Sequence, residues 1–189
     1  MKPVSRSELH LDQLQQIAKI TPGKAQSLLE CCVWCLDNCE HTNGVNLDVR
    51  YDKHRYSYSL QWDETLIDKI HLHSSYNEND ATEWGAEAIA LPLSLQQTEY
   101  TAVLRATSFT GIDYWLGHTT EDPNNPFNKS CRLEISGILK ENHTNKVDRR
   151  VKIKTNQTKP TDHLTPVYVV VVEFGQPFAR MVFKNANSQ

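Results

Sequence analysis

Thr110-Gly-Ile-Asp-Tyr-Trp-Leu-Gly117 and, after a turn-rich stretch, Cys131-Arg-Leu-Glu-Ile-Ser-Gly137 decide how this chain is read. Each segment is a short apolar run of strand type with one acid inside it: Asp113 in the first, Glu134 in the second. An ionised carboxylate there is costly unless it is paired, hydrogen-bonded or bound to a metal ion. Taken singly, Asp113 reads as a turn acceptor and Glu134 as half of an ion pair with Arg132. Two such acids on strands lying side by side point instead to a shared divalent-cation site. Alternation along the second segment sets Arg132, Glu134 and Ser136 on one face and Leu133 and Ile135 on the other.

Working outward, the alanines at 86, 88 and 90 belong to a helix expected from Thr82 to Leu91 and closed by Pro92. Strands follow at 100–106, 111–116 and 131–139, with a loop at Pro123, Asn124, Asn125 and Pro126 between the last two. A basic helix is expected at about 146–158. The unbroken apolar run 167–174 suits a strand covered on both faces, and 178–184 returns as an edge strand or a short helix. Before residue 80, a helix over 8–20 and another over 22–40 form a helical hairpin. Strands around Val45–Val49 and Tyr56–Leu60 form a β-hairpin, and 63–80 reads as irregular and exposed. The expectation is an α/β fold. A mixed central sheet flanked by helices (order αβββαβ, residues 80–189) follows an N-terminal helical hairpin and β-hairpin (residues 1–79) packed on it.

The chain has 189 residues, 39% of them hydrophobic and 23% charged, with a net charge of −3. That is ordinary for a globular domain and excludes a uniformly basic nucleic-acid binder, so any basic surface is local. No run of about 18 apolar residues is present, so no membrane span is expected. The start, Met-Lys-Pro-Val-Ser-Arg-Ser-Glu, lacks the apolar core of a secretory signal, and the expected location is the cytoplasm. No Gly-rich phosphate loop and no Gly-x-Ser-x-Gly elbow occurs, which disfavours P-loop hydrolysis and acyl transfer. Four of the five cysteines fall between Cys31 and Cys39. Their spacing of four reads first as a small-residue packing stripe on a helix, and second as a zinc site of Cys32, Cys35, Cys39 and His41.

The helix–three strands–helix–strand order, with an acid in the second strand and another in the third, resembles the core of the PD-(D/E)xK nuclease superfamily over about residues 80–175. The resemblance implies a metal-dependent nuclease acting on DNA. Asp113 and Glu134 would hold Mg²⁺ or Mn²⁺, and Glu87 or Glu83 on the preceding helix would add a further acid. The chain departs from the family pattern at Ser136, two residues after Glu134, where a catalytic lysine is usual. Some members draw that lysine from the following helix, which makes Lys154 the candidate, on one helix face with Arg150 and Gln157. Without such a replacement the same fold would serve as a nucleic-acid-binding or assembly subunit, with residues 1–79 docking a protein partner.

Residues 140–159 contain seven basic side chains against two acidic ones. Arg149, Arg150, Lys152 and Gln157 are therefore the candidates for contact with a phosphate backbone. Tyr114 and Trp115 beside Asp113 are either core aromatics or surfaces for an unpaired base.

Overall fold

The computed structural model describes residues 7–118 and 127–186. In chain order the elements are β1 (Ser7–His10), α1 (Leu14–Ile17), α2 (Pro22–Asn38), β2 (Asn46–Tyr51), β3 (His54–Gln61), α3 (Leu72–Ser75) and α4 (Glu78–Thr98). After them come β4 (Tyr100–Arg105), β5 (Tyr114–His118), β6 (Cys131–Ile138), α5 (Val147–Gln157), β7 (Val167–Glu173) and β8 (Phe178–Lys184). The fold is α/β. One eight-stranded mixed sheet, in the order β1-β3-β2-β8-β7-β6-β5-β4, carries helices on both faces. The loop expected at Pro123–Pro126 lies outside the described residues.

From α4 onward the order is helix, three strands, helix, two strands. The meander β4-β5-β6 is antiparallel, and β6 pairs with β7 in parallel. A parallel pair cannot be joined by a tight turn, so the chain must cross over a sheet face, and α5 is that crossover. Leu133 and Ile135 join the large core that α2 and α4 build on one face. Their alternate neighbour Glu134 meets α5 on the other. β7 is buried along its whole length, as its valine run requires. No helix among the described residues is long and apolar enough to cross a membrane.

Several expectations are corrected. The first helix of the expected helical hairpin shrinks to the single turn of α1. Residues 7–10 instead form β1, parallel to β3. Leu9, Leu11 and Leu14 are all buried, and their spacing satisfies a strand followed by a turn as well as a helix. Pro92 does not end α4. That helix starts four residues early, where the Asn77 side chain accepts from Asp80 N at 3.0 Å, and runs through Pro92 to a left-handed cap at Glu99. An internal proline costs a helix about 3 kcal/mol, which the burial of Leu91, Pro92 and Leu93 in the core offsets. Residues 63–80 are not wholly irregular: Ile67 and Leu72 are buried beside a 3₁₀ turn and α3. β8 is no edge strand, because β2 pairs with it in parallel and joins the N-terminal hairpin to the rest of the sheet.

The cysteine stripe packs α2 against α4. Cys31, Cys32 and Cys35 have no exposed surface, and a Cβ on Gly85 of α4 would come within 3.0 Å of Cys31 O. Burial pushes the Cys31 thiol up to about 12. His41 is turned to Gly175 O at 3.1 Å, and Cys39 donates to Leu139 O at 3.4 Å. The stripe is a packing surface, and its residues do not converge on a zinc ion.

Candidate active site

β6 and α5 run in opposite directions across one another, and three rungs join the strand to the helix and its C-cap residue Thr158. Arg150 Nη1 donates to Ser136 Oγ at 3.2 Å, Lys154 Nζ to Glu134 Oε1 at 2.7 Å, and Arg132 Nη1 reaches Thr158 O at 3.1 Å. The match is geometric. Four helical residues rise about 6 Å and two strand residues about 6.6 Å, so every fourth residue of α5 faces every second residue of β6. This spacing delivers Lys154 to Glu134.

Asp113 stands just before β5 and continues its ladder, with Asp113 N donating to Leu133 O at 2.8 Å. Its Oδ2 accepts from Ile135 N at 2.8 Å, which draws the carboxylate across onto β6 beside Glu134. The two carboxyl groups line the same cleft, close enough for Asp113 to bear on Glu134 electrostatically. Burial and the neighbouring Asp113 carboxylate push Glu134 up to about 7, against the pull of Lys154. Asp113 is also raised. Burial is the main cause and Glu87 adds to it, while the Ile135 amide, Arg105 and Lys154 oppose it. Glu134 and Lys154 are 6% and 18% exposed at their side chains, so their pairing is weakly screened by solvent.

Glu87 approaches from α4 but is held by others. Arg105 Nη1 meets its Oε1 at 2.6 Å, Tyr114 Oη donates to its Oε2 at 2.6 Å, and Lys24 Nζ lies 3.6 Å from Oε2. The same guanidinium reaches Asp113 Oδ1 at 3.5 Å, so one cation spans the two acids. Burial opposes the charge on Arg105, but Glu87, Tyr114 and Asp113 outweigh it and keep the group protonated. A register shift between Ala102 and Leu104 of β4 sets Arg105 opposite Tyr114, with its guanidinium 4.7 Å from the ring centre. Glu83 is exposed and lines a neighbouring cleft of about 300 Å³ with Ser136, Arg150 and Lys154.

Asp113 and Glu134 open onto a cleft of about 470 Å³, walled by Arg105, the 106–112 loop and Gln157. Gly111 seats that loop on the end of α5. Its φ is +71°, and a Cβ there would overlap Gln157 O. Arg149, Arg150, Lys154 and Gln157 line a further cavity of about 450 Å³ along α5. Arg149 also donates to Thr144 O at 3.1 Å, and Lys152 is exposed.

The structure thus brings together Asp113, Glu134 and Lys154, holds Glu87 one guanidinium away, and leaves Glu83 apart. Among the described residues no three acids, histidines or cysteines converge on one point. Two carboxylates still suit Mg²⁺, which typically takes one or two from the protein and keeps waters for the rest. The donors are hard oxygens, and their mutual repulsion is the kind a cation relieves. The residue pair fits the ion that the sequence reading calls for.

Glu134 does not pair with Arg132, whose guanidinium turns to Asp162. Tyr114 is core, 2% exposed, and Trp115 packs beside Ile112, Val167 and Val169. Arg105 escaped the sequence reading, although a lone charge ending the apolar run Thr101-Ala-Val-Leu was its signal. Compared with protein-family models, with curated proteins and with solved structures, the chain matches none.

Proposed function

We propose that this chain is a metal-dependent phosphodiester hydrolase acting on DNA, built on a restriction-endonuclease-like core. The observation that carries this reading is that Asp113 and Glu134 open onto one cleft while Lys154 of α5, which lines the two adjoining cavities, bonds to Glu134 and so stands in for the lysine usual at Ser136. Asp113 and Glu134 would hold Mg²⁺ or Mn²⁺, which when bound polarises the phosphate and lowers the pKa of the attacking water. Lys154, hydrogen-bonded to Glu134 Oε1, would orient a water and meet a phosphate oxygen. Arg105, half exposed at the cleft edge, offers a fork of donors matched to phosphate. Arg149, Arg150, Lys152 and Gln157 on α5 extend the contact along the backbone. Five free thiols suit a cytoplasmic location.

A second reading has its own observation. Ser136 holds Arg150 and supplies no charge, and Arg105 already neutralises Glu87 and reaches Asp113. On that reading the chain binds nucleic acid, or assembles with a protein through residues 1–79, without cutting. Purified protein incubated with Mg²⁺ or Mn²⁺ and circular, linear, single-stranded or branched DNA separates the two. The hydrolase reading expects cleavage that disappears in Asp113→Ala. No cleavage of any form, or cleavage that survives Asp113→Ala, overturns it.

A further inference from the structure

Phe109 is the most exposed large apolar side chain among the described residues, at 103% relative exposure. Its backbone lies in the left-handed region with φ +68°, a conformation disfavoured for a bulky residue. The segment holding it there is anchored. Thr110 Oγ1 donates to Thr107 O at 2.7 Å, Thr161 Oγ1 donates to Thr110 O at 3.2 Å, and Gly111 abuts Gln157. The phenyl ring therefore stands on a tethered loop at the wall of the cleft that holds Asp113 and Glu134.

Its neighbours Thr107, Ser108 and Thr110 are polar, so the ring forms no contiguous apolar patch of the kind that marks protein interfaces. A single aromatic face in polar surroundings, beside a carboxylate pair and a basic helix, matches the chemistry of an unpaired nucleobase. Base–aromatic stacking needs only a π face and tolerates any base. A volume of about 470 Å³ lies within the range of small-ligand sites and accommodates one nucleotide. Gln157, exposed at the same wall, brings an amide able to donate to and accept from a base edge.

We infer that this cleft takes a nucleotide whose base is unpaired and stacked on Phe109. The preferred substrate class is then DNA with a single-stranded stretch, such as a free strand, bubble or flap, rather than intact duplex. The inference rests on the hydrolase reading for the phosphate's place but not for the base's. A base inside a duplex must first be unstacked and unpaired, which selects against intact DNA.

The test is binding of the full-length chain to oligonucleotides carrying 2-aminopurine, without added metal so that no cleavage intervenes. Single-stranded and bubble DNA should bind more tightly than duplex, with a change in 2-aminopurine fluorescence. Phe109→Ala and Phe109→Leu should each weaken that binding on the order of tenfold and abolish the fluorescence change, while Phe109→Trp retains both. Because the side chain is solvent-exposed, these variants should fold as the parent does. Equal affinity for duplex and single strand, or full binding by Phe109→Leu, overturns the inference. A stacking signal without metal-dependent cleavage removes the hydrolase reading and leaves the base seat standing.

Discussion

Arg132 and Glu134 are two residues apart on one face of one strand, both buried and both ionisable, yet their surroundings are opposite. Arg132 is completely enclosed and its donors are matched. Nε goes to Thr165 O at 2.8 Å, Nη1 to Thr158 O and to Thr161 Oγ1 at 2.6 Å, and Nη2 to Asp162 Oδ1 at 3.3 Å. Asp162 in turn also pairs with Lys184. Burial would push the Asp162 carboxyl up, but Lys184 and Arg132 outweigh it and hold it below its ordinary value. Glu134 has one cation and, against it, a second carboxylate, and is pushed the other way. Burial still pulls Arg132 below its ordinary value against the attraction of Asp162, but the hydrogen bonds of the first cluster close it on itself. The second leaves electrostatic strain open toward a cleft, as expected where a charge must be met by something from outside.

If that contrast is right, breaking the matched cluster has the largest effect on stability. Arg132→Ala leaves several buried acceptors without a partner and should cost about 3–5 kcal/mol, read from chemical denaturation. A loss below about 1 kcal/mol would mean the cluster is not structural. Asp162→Asn should cost less, about 2 kcal/mol at pH 7. Because its carboxyl is depressed in the fold, its contribution is present above the ordinary aspartate value of 3.8 and disappears as pH falls through the depressed value.

The strained cluster should respond with the opposite sign. In the unfolded chain Glu134 ionises near its ordinary 4.5, whereas in the fold it keeps its proton to about 7. Stability should therefore fall as pH rises between these values, with the full penalty present above 7. Glu134→Gln should stabilise the protein at pH 8 by about 1–2 kcal/mol, after the loss of attraction to Lys154, with no gain at pH 4. Thermal melts at the two pH values check this, and destabilisation at pH 8 would erase the contrast. The smallest effect is expected at Lys154. Lys154→Met removes the cation that opposes the upward shift, so the Glu134 carboxyl should titrate above 7, visible by carbon-detected NMR.

Much of the site could be read from residue order alone. Acids in two strand-like runs marked Asp113 and Glu134, and the resemblance made Lys154 the candidate on one helix face with Arg150 and Gln157. Its bond to Glu134 comes from the fold, because helix rise and strand rise are nearly commensurate. Other features left no local mark. Leu9 and Leu11 fit a strand or a helix, and only the free edge of β3 decides for the strand. Pro92 carries a helix-breaking signal that tertiary burial overrides. The position of β8 depends on pairing with β2, more than 120 residues earlier in the chain. Arg105 reaches Glu87 and Asp113 only because a register shift in β4 turns it there. The role inferred for Phe109 depends on an anchored loop that spacing does not reveal.

The most direct test of the account is calorimetric titration of the full-length chain with Mn²⁺ at pH 7.5, beside Asp113→Asn and Glu134→Gln. One ion per chain is expected for the parent, with uptake lost in both variants. No uptake by the parent, or uptake that persists in Asp113→Asn, would contradict the claim that these two carboxylates share a cation.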